Sequence, residues 1–178
     1  MLEKTLFTGK PEFDTTLHFP TTDRDPEKTW LQVLKGSPSI GVATVRGSFS
    51  VGIVNSTGGG FLAVDRFAIE TLCYRIANNQ LTFASRADEL GDAADIDPQA
   101  IFDYLYFHHI PSPRTIYKGV MRLPPGHYAM FENGKLTVAP YWQAAFAPDA
   151  GTQFEPAKKE FLSLVEAAVA SELDGSRP

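Results

Sequence analysis

Apolar and polar positions alternate along Ser48–Asn55 (SFSVGIVN), placing Phe49, Val51 and Ile53 on one side. That period of two is the signature of a half-buried strand. Phe61–Asp65 follows across Ser56-Thr57-Gly58-Gly59-Gly60 and predicts the return strand of a hairpin. Arg75–Ile76 and Leu81–Ala84 predict a second hairpin around Asn78-Asn79-Gln80. Tyr128–Glu132 and Lys135–Ala139 predict a third across Asn133-Gly134, the strongest turn dipeptide in the chain. Leu6–Phe13 reads as a short strand interrupted at Gly9 and Pro11, residues 14–28 as a polar surface loop, and Ile40–Val45 as a further β-rich stretch. Tyr117–Arg122 leads into Leu123-Pro124-Pro125-Gly126-His127, a rigid turn.

Helical periods are fewer. Thr29–Leu34 predicts a short helix with Asp25 as its cap and Pro26 at its first position. Asp88–Leu90 reads as a short turn of helix. Asp97 and Pro98 start a clearer helix, in which Ile101, Tyr104, Leu105 and His108 recur at helical spacing until Pro111 and Pro113. The spacing assigns those residues to core and interface. After Trp142 the composition shifts. Residues 144–154 read as a small-residue linker, and Glu155–Leu173 as an amphipathic helix with Phe161, Val165, Ala168 and Val169 on one stripe. A lone amphipathic helix after a linker predicts the first element of a second domain. The expected organisation is therefore residues 1–143 as one domain, 144–154 as linker and 155–178 as the start of another.

Composition narrows the function classes. Hydrophobic residues make up 43% of the 178, and 13 residues are Phe, enough for a packed core. The net charge is −5 and the basic clusters are no longer than pairs such as Lys158-Lys159, so no nucleic-acid partner is expected. The single cysteine, Cys73, forms no internal disulfide, which fits a reducing cytoplasm. The start MLEKTLFTGKPEF carries no signal pattern. No window reaches the roughly 18 apolar residues of a membrane span. These features predict a soluble cytoplasmic protein with no membrane partner. The triple glycine is not a phosphate loop, because a strand rather than Lys-Ser/Thr and a helix follows it.

Four short pieces, in order, carry a resemblance: Arg46-Gly47-Ser48-Phe49-Ser50-Val51, Asp65-Arg66-Phe67-Ala68-Ile69, Phe83-Ala84-Ser85, and Leu123-Pro124-Pro125-Gly126-His127 with Tyr141-Trp142. Together they resemble the amidotransferase domain of the asparagine synthetase family, with Ala68 where the family has glycine. The resemblance implies an α+β N-terminal-nucleophile fold: two antiparallel sheets face to face with helices outside. It also implies that the whole protein is an ATP-dependent amide-forming ligase. ATP and Mg would bind in a following synthetase domain, which would be this domain's partner.

The departures from the family carry equal weight. Active relatives use a cysteine at residue 1, whose own amino group serves as base, and an Asn-Gly pair that holds the oxyanion. This chain opens Met1-Leu2, and Asn133-Gly134 lies far downstream in a hairpin turn; Gly9 reads as a degenerate remnant of the pair. No catalytic, cofactor-binding or metal-binding residue carries over. The coherent start at Met1 favours a protein that never had the missing front, a scaffold without glutaminase activity. It would buttress the synthetase domain through Pro111–His127 and the tail helix, and form a homodimer through the same apolar strip when isolated. Two alternatives stand: an active glutamine-hydrolysing synthetase whose front precedes this segment, and a stand-alone small-molecule-binding module. Among single residues, Cys73 reads as an ordinary buried thiol without a basic neighbour, and His108-His109 as non-ligands. His127 reads as a turn residue touching backbone, and Asp65 with Arg66 as an ion pair or a buried hydrogen-bonded turn.

Overall fold

A computed structural model describes residues 2–13, 25–149 and 151–173. The chain forms two units, Met1–Gln143 and Ala144–Pro178. In the first, strands β1 (Leu2–Glu12), β2 (Arg46–Asn55), β3 (Gly60–Val64), β4 (Cys73–Ala77), β5 (Gln80–Ala84), β6 (Val120–Arg122), β7 (His127–Glu132) and β8 (Lys135–Pro140) build two sheets. Their orders are β1-β2-β3-β7-β8 and β5-β4-β6. Every pairing is antiparallel. Helices α1 (Pro26–Val33), α2 (Pro38–Ala43) and α3 (Pro98–Phe107) complete the unit, with a short 3₁₀ turn at Ala87–Glu89.

Alternation along β2 sets the layers. Phe49, Val51 and Ile53 point to one face of the larger sheet and join Trp30, Val33 and Val42 from α1 and α2 in one apolar cluster. Val54, Leu62, Val64 and Phe131 point to the other face and meet Leu72, Tyr74, Leu81 and Phe83 of the smaller sheet side. Helices α1 and α2, the large sheet and the small sheet are thus stacked in that order. This is the α+β arrangement of two facing antiparallel sheets that the family resemblance implies.

Several local expectations change. Ile40–Val45 is not β: Pro38–Ala43 is a helix, with Ser37 at the N-cap and Pro38 in its first turn. Its β-branched residues earn their place by packing, since Val42 and Val45 are fully buried against Trp30 and Phe49. β1 is longer than expected and runs unbroken through Gly9 and Pro11. It is an edge strand, where a proline's missing N–H leaves no ladder partner unsatisfied. The hairpins stand as read, with Asn78-Asn79 and Asn133-Gly134 both at positive φ. Of the predicted loop, residues 14–24 lie outside the described residues.

The second unit contains helix α4 (Phe154–Glu172). Phe161, Leu162, Leu164, Val165 and Val169 are all exposed, so among the described residues of its own unit the apolar stripe has no partner. Among the described residues no helix is long and apolar enough to cross a membrane.

Candidate functional site

The segment Asp65–Glu70 leaves the end of β3 and folds around one carboxylate. Asp65 is 1% exposed. Its Oδ1 accepts from the N–H groups of Phe67 and Ile69, at 3.0 and 3.1 Å, and its Oδ2 from Glu70 and Phe49, at 3.0 and 3.3 Å. A buried charge is tolerated only when its lone pairs are filled, and here four backbone donors fill them. The Asp65 carbonyl accepts from Ala68 and Gly126, and the Gly126 carbonyl accepts from Tyr141 and Trp142. This ties three of the four resembling pieces into one knot. Gly126 is needed there: its φ is +66°, and a Cβ would stand 2.7 Å from the Trp142 carbonyl oxygen. The Tyr141 hydroxyl donates to the Val64 carbonyl at 2.7 Å. Burial first, and the Asp65 charge second, push that hydroxyl's pKa well up.

Beside the knot, edge strand β1 brings a second polar group that sequence reading missed. Thr8 Oγ1 donates to Glu70 Oε2 at 2.9 Å and lies 2.8 Å from Ser50 Oγ, on a fully buried serine. Gly9 follows with φ +87°, and a Cβ there would meet the Ser48 carbonyl oxygen at 2.3 Å and Glu70 Cγ at 2.8 Å. Glycine at this position therefore lets β1 approach both β2 and the Asp65 turn. Only the adjacency of Thr8 to Gly9 could have flagged it.

The other predicted residues fall apart spatially into ordinary roles. Asp65 is the buried hydrogen-bonded turn, while Arg66 is not its ion-pair partner. The Arg66 guanidinium lies over the Trp142 ring, 5.8 Å from its centroid, and its Nε is buried with no acceptor. Cys73 is 2% exposed. It does have a basic neighbour, contrary to expectation, because Arg122 faces it across the β4–β6 pair. Burial still outweighs that cation and pushes the thiol's pKa up. A protonated, enclosed thiol is a poor nucleophile. His108 closes α3 in the left-handed conformation, and His109 Nδ1 lies 3.0 Å from the Phe107 carbonyl oxygen. No cluster of metal-ligating side chains occurs among the described residues. His127 Nδ1 contacts the Pro125 carbonyl oxygen at 2.8 Å, as a turn residue.

Helix α3 overturns the core reading of its stripe. Ala100 is its only buried residue, whereas Phe102, Tyr104, Leu105 and Tyr106 are between 56% and 70% exposed. Conversely Val120 and Leu123, placed in the expected docking strip, are buried in the sandwich. Within the first unit the exposed apolar surface thus sits mainly on α3, one element earlier than the Pro111–His127 part of the expected strip, of which Met121 is the one large exposed apolar residue. Next to α3, Arg114 reaches Asp97 at 3.3 Å and Asp103 at 3.4 Å. These three, with Ser112, Tyr117 and Met121, line a cavity of about 370 Å³.

A family model described as the glutamine amidotransferase domain matches residues 14–142. Asparagine synthetase [glutamine-hydrolyzing] 1 of Bacillus subtilis (strain 168) is 33% identical over 90 residues. That match covers 48% of this chain and 14% of the relative, so the chain corresponds to a small part of that protein. Among solved structures, glutamine phosphoribosylpyrophosphate amidotransferase from B. subtilis, complexed with ADP and GMP, aligns at a TM-score of 0.48 and 9% identity. The alignment covers 79% of this chain and 30% of that one.

Proposed function

The chain belongs to the glutamine amidotransferase domain family, and from that premise we propose that it is the amidotransferase-like domain of an ATP-dependent, amide-forming ligase related to asparagine synthetase. In this reading the domain no longer hydrolyses glutamine and serves as a scaffold. ATP and Mg²⁺ act in a synthetase domain outside these residues, and that domain is its partner. The observation that carries the reading is the state of Cys73, the one thiol in the chain: it is 2% exposed and held protonated by burial. Without movement of the sheets it reaches no substrate carbonyl, which makes this thiol unsuited to the glutaminase step. The scaffold role is supported by α3, whose exposed aromatic and aliphatic side chains suit a protein interface rather than water.

The test uses the natural gene product that contains this chain. Given glutamine alone it should release no glutamate. Given aspartate, ATP, Mg²⁺ and ammonium it should form an amide. Glutamate release would overturn the scaffold reading, and its loss in Cys73→Ala would name Cys73 as the nucleophile after all.

A further inference from the structure

The Asp65 turn holds two large apolar side chains out in water and leaves a cation with no hydrogen-bond acceptor among the described residues. Phe67 and Ile69 are 71% and 69% exposed. Both backbone N–H groups are clamped by the Asp65 carboxylate. Between them Ala68 sits at φ +50°, a conformation that costs a residue with a Cβ about 1–2 kcal/mol. A loop free to relax would fold these side chains down or release the strain. This one does neither, because four donors and a buried carboxylate fix it. Its exposed face is therefore preformed.

The chemistry of that face is specific. No carboxylate or carbonyl among the described residues accepts from Arg66, whose only partner is the Trp142 ring. The Arg66 Nε is enclosed, so an incoming acceptor would meet the guanidinium at its Nη groups, where a carboxylate takes two parallel N–H bonds from the fork. Trp142 also receives Phe67 edge-on, with ring centroids 5.3 Å apart. Arginine and tryptophan beside exposed apolar residues are the composition of interface hot spots. Phe67 and Ile69 project rather than enclose, which fits a macromolecular surface better than a small ligand that needs burial on most sides. On a chain of net charge −5, a cation that lacks an acceptor among the described residues and carries an apolar rim selects an acidic residue in an apolar setting.

We propose that Arg66, Phe67, Ile69 and Trp142 form a preformed docking socket for a protein segment that presents an aspartate or glutamate side chain between apolar neighbours. The socket is independent of whether the chain hydrolyses glutamine.

The chain has two tryptophans, and Trp30 is fully buried. Its two indole N–H resonances thus report separately on core and socket, and Trp142→Phe assigns them. The probe is acetyl-Leu-Glu-Leu-Phe-amide, compared with its Glu-to-Gln counterpart and with benzoate. The acidic peptide should move the Trp142 resonance saturably and leave Trp30 in place. It should bind roughly tenfold more tightly than the Gln peptide, the effect of one charge-assisted pair. Arg66→Gln should abolish that preference while the Trp30 resonance stays put, which shows that the variant is folded. No movement of Trp142 up to about 10 mM peptide, weaker than any useful docking contact, overturns the proposal. Equal binding of the two peptides overturns it, as does a Glu preference that survives Arg66→Gln. Benzoate binding as tightly as the peptide would make the site one for free carboxylates and remove the protein partner. A dimer in sedimentation that dissociates in Arg66→Gln would replace that partner with a second copy of this chain.

Discussion

Helices α1 and α3 start alike. Asp25 and Asp97 each cap the first turn by accepting from the N–H two residues on, at 3.1 and 3.0 Å, and a proline follows each cap. There the likeness ends. α1 buries Trp30 and Val33, and Trp30 packs against Phe13 and Phe49 with ring centroids 5.2 and 5.0 Å apart. α3 is the more apolar sequence, yet it buries only Ala100. An N-cap is a contract between neighbours in sequence, so the same signal begins both helices. Burial is decided by what stands opposite, and the sandwich offers α1 a sheet face and α3 almost none. The difference teaches that apolar content marks where a protein wants contact, and that the contact can belong to another surface.

The comparison breaks most easily at Trp30. Trp30→Ala empties the centre of the cluster between α1, α2 and the larger sheet, and should lower unfolding free energy by about 3–5 kcal/mol. Urea denaturation followed by circular dichroism reads it directly. Against a total near 5–15 kcal/mol for an ordinary domain, this loss comes close to unfolding the unit. A loss below about 1 kcal/mol would mean that α1 is as loosely held as α3.

Asp65→Ala comes next. It leaves four backbone N–H groups without their acceptor, and should cost on the order of 2–4 kcal/mol. The same variant should raise amide exchange of Phe67, Ile69 and Glu70, while exchange in β7 and β8 changes little. Uniform loss of protection would show that the turn is a keystone of the fold rather than a local clamp.

The caps sharpen the comparison at a smaller scale. Asp25→Ala should cost about 1 kcal/mol. Asp97→Ala should cost a little more, because Asp97 also pairs with Arg114, an ion pair of less than about 1 kcal/mol when part-exposed. Thermal unfolding of the two variants side by side makes the check. An Asp97 variant with no effect would show that α3 frays freely.

Which features were legible follows from the same division. The hairpins, the two Asp-Pro caps and the face of Phe49, Val51 and Ile53 are set by residues close in sequence, and each stands as read. Asp65 and its neighbours were legible as a turn because an aspartate can accept from the N–H groups that follow it. Pro38–Ala43 was misread because Ile40, Val42, Thr44 and Val45 crowd four β-branched residues into a short run with a strand-like period; Trp30 and Phe49, distant in sequence, supply the packing that makes it a helix face. The Thr8–Ser50–Glu70 contacts and the Cys73–Arg122 pairing join residues on strands far apart in the chain. No local pattern encodes them. The exposure of α3 was missed for the converse reason, because helical spacing says which residues share a face and not whether that face is covered.

The smallest effect on stability belongs to α3, and it is the most telling. Leu105→Gln with Tyr106→Gln keeps good helix formers and removes two side chains that are each 70% exposed. Unfolding free energy should stay within about 0.5 kcal/mol of the parent. If α3 is a contact surface, the same double substitution should weaken association, either with a partner domain or between copies, as read by sedimentation velocity over a range of concentrations. A large loss of stability would instead mean that α3 packs against its own domain in solution and that its apolar residues are core. Unchanged stability together with unchanged association would leave α3 with no surface to serve, and would shift the scaffold role to the Asp65 turn.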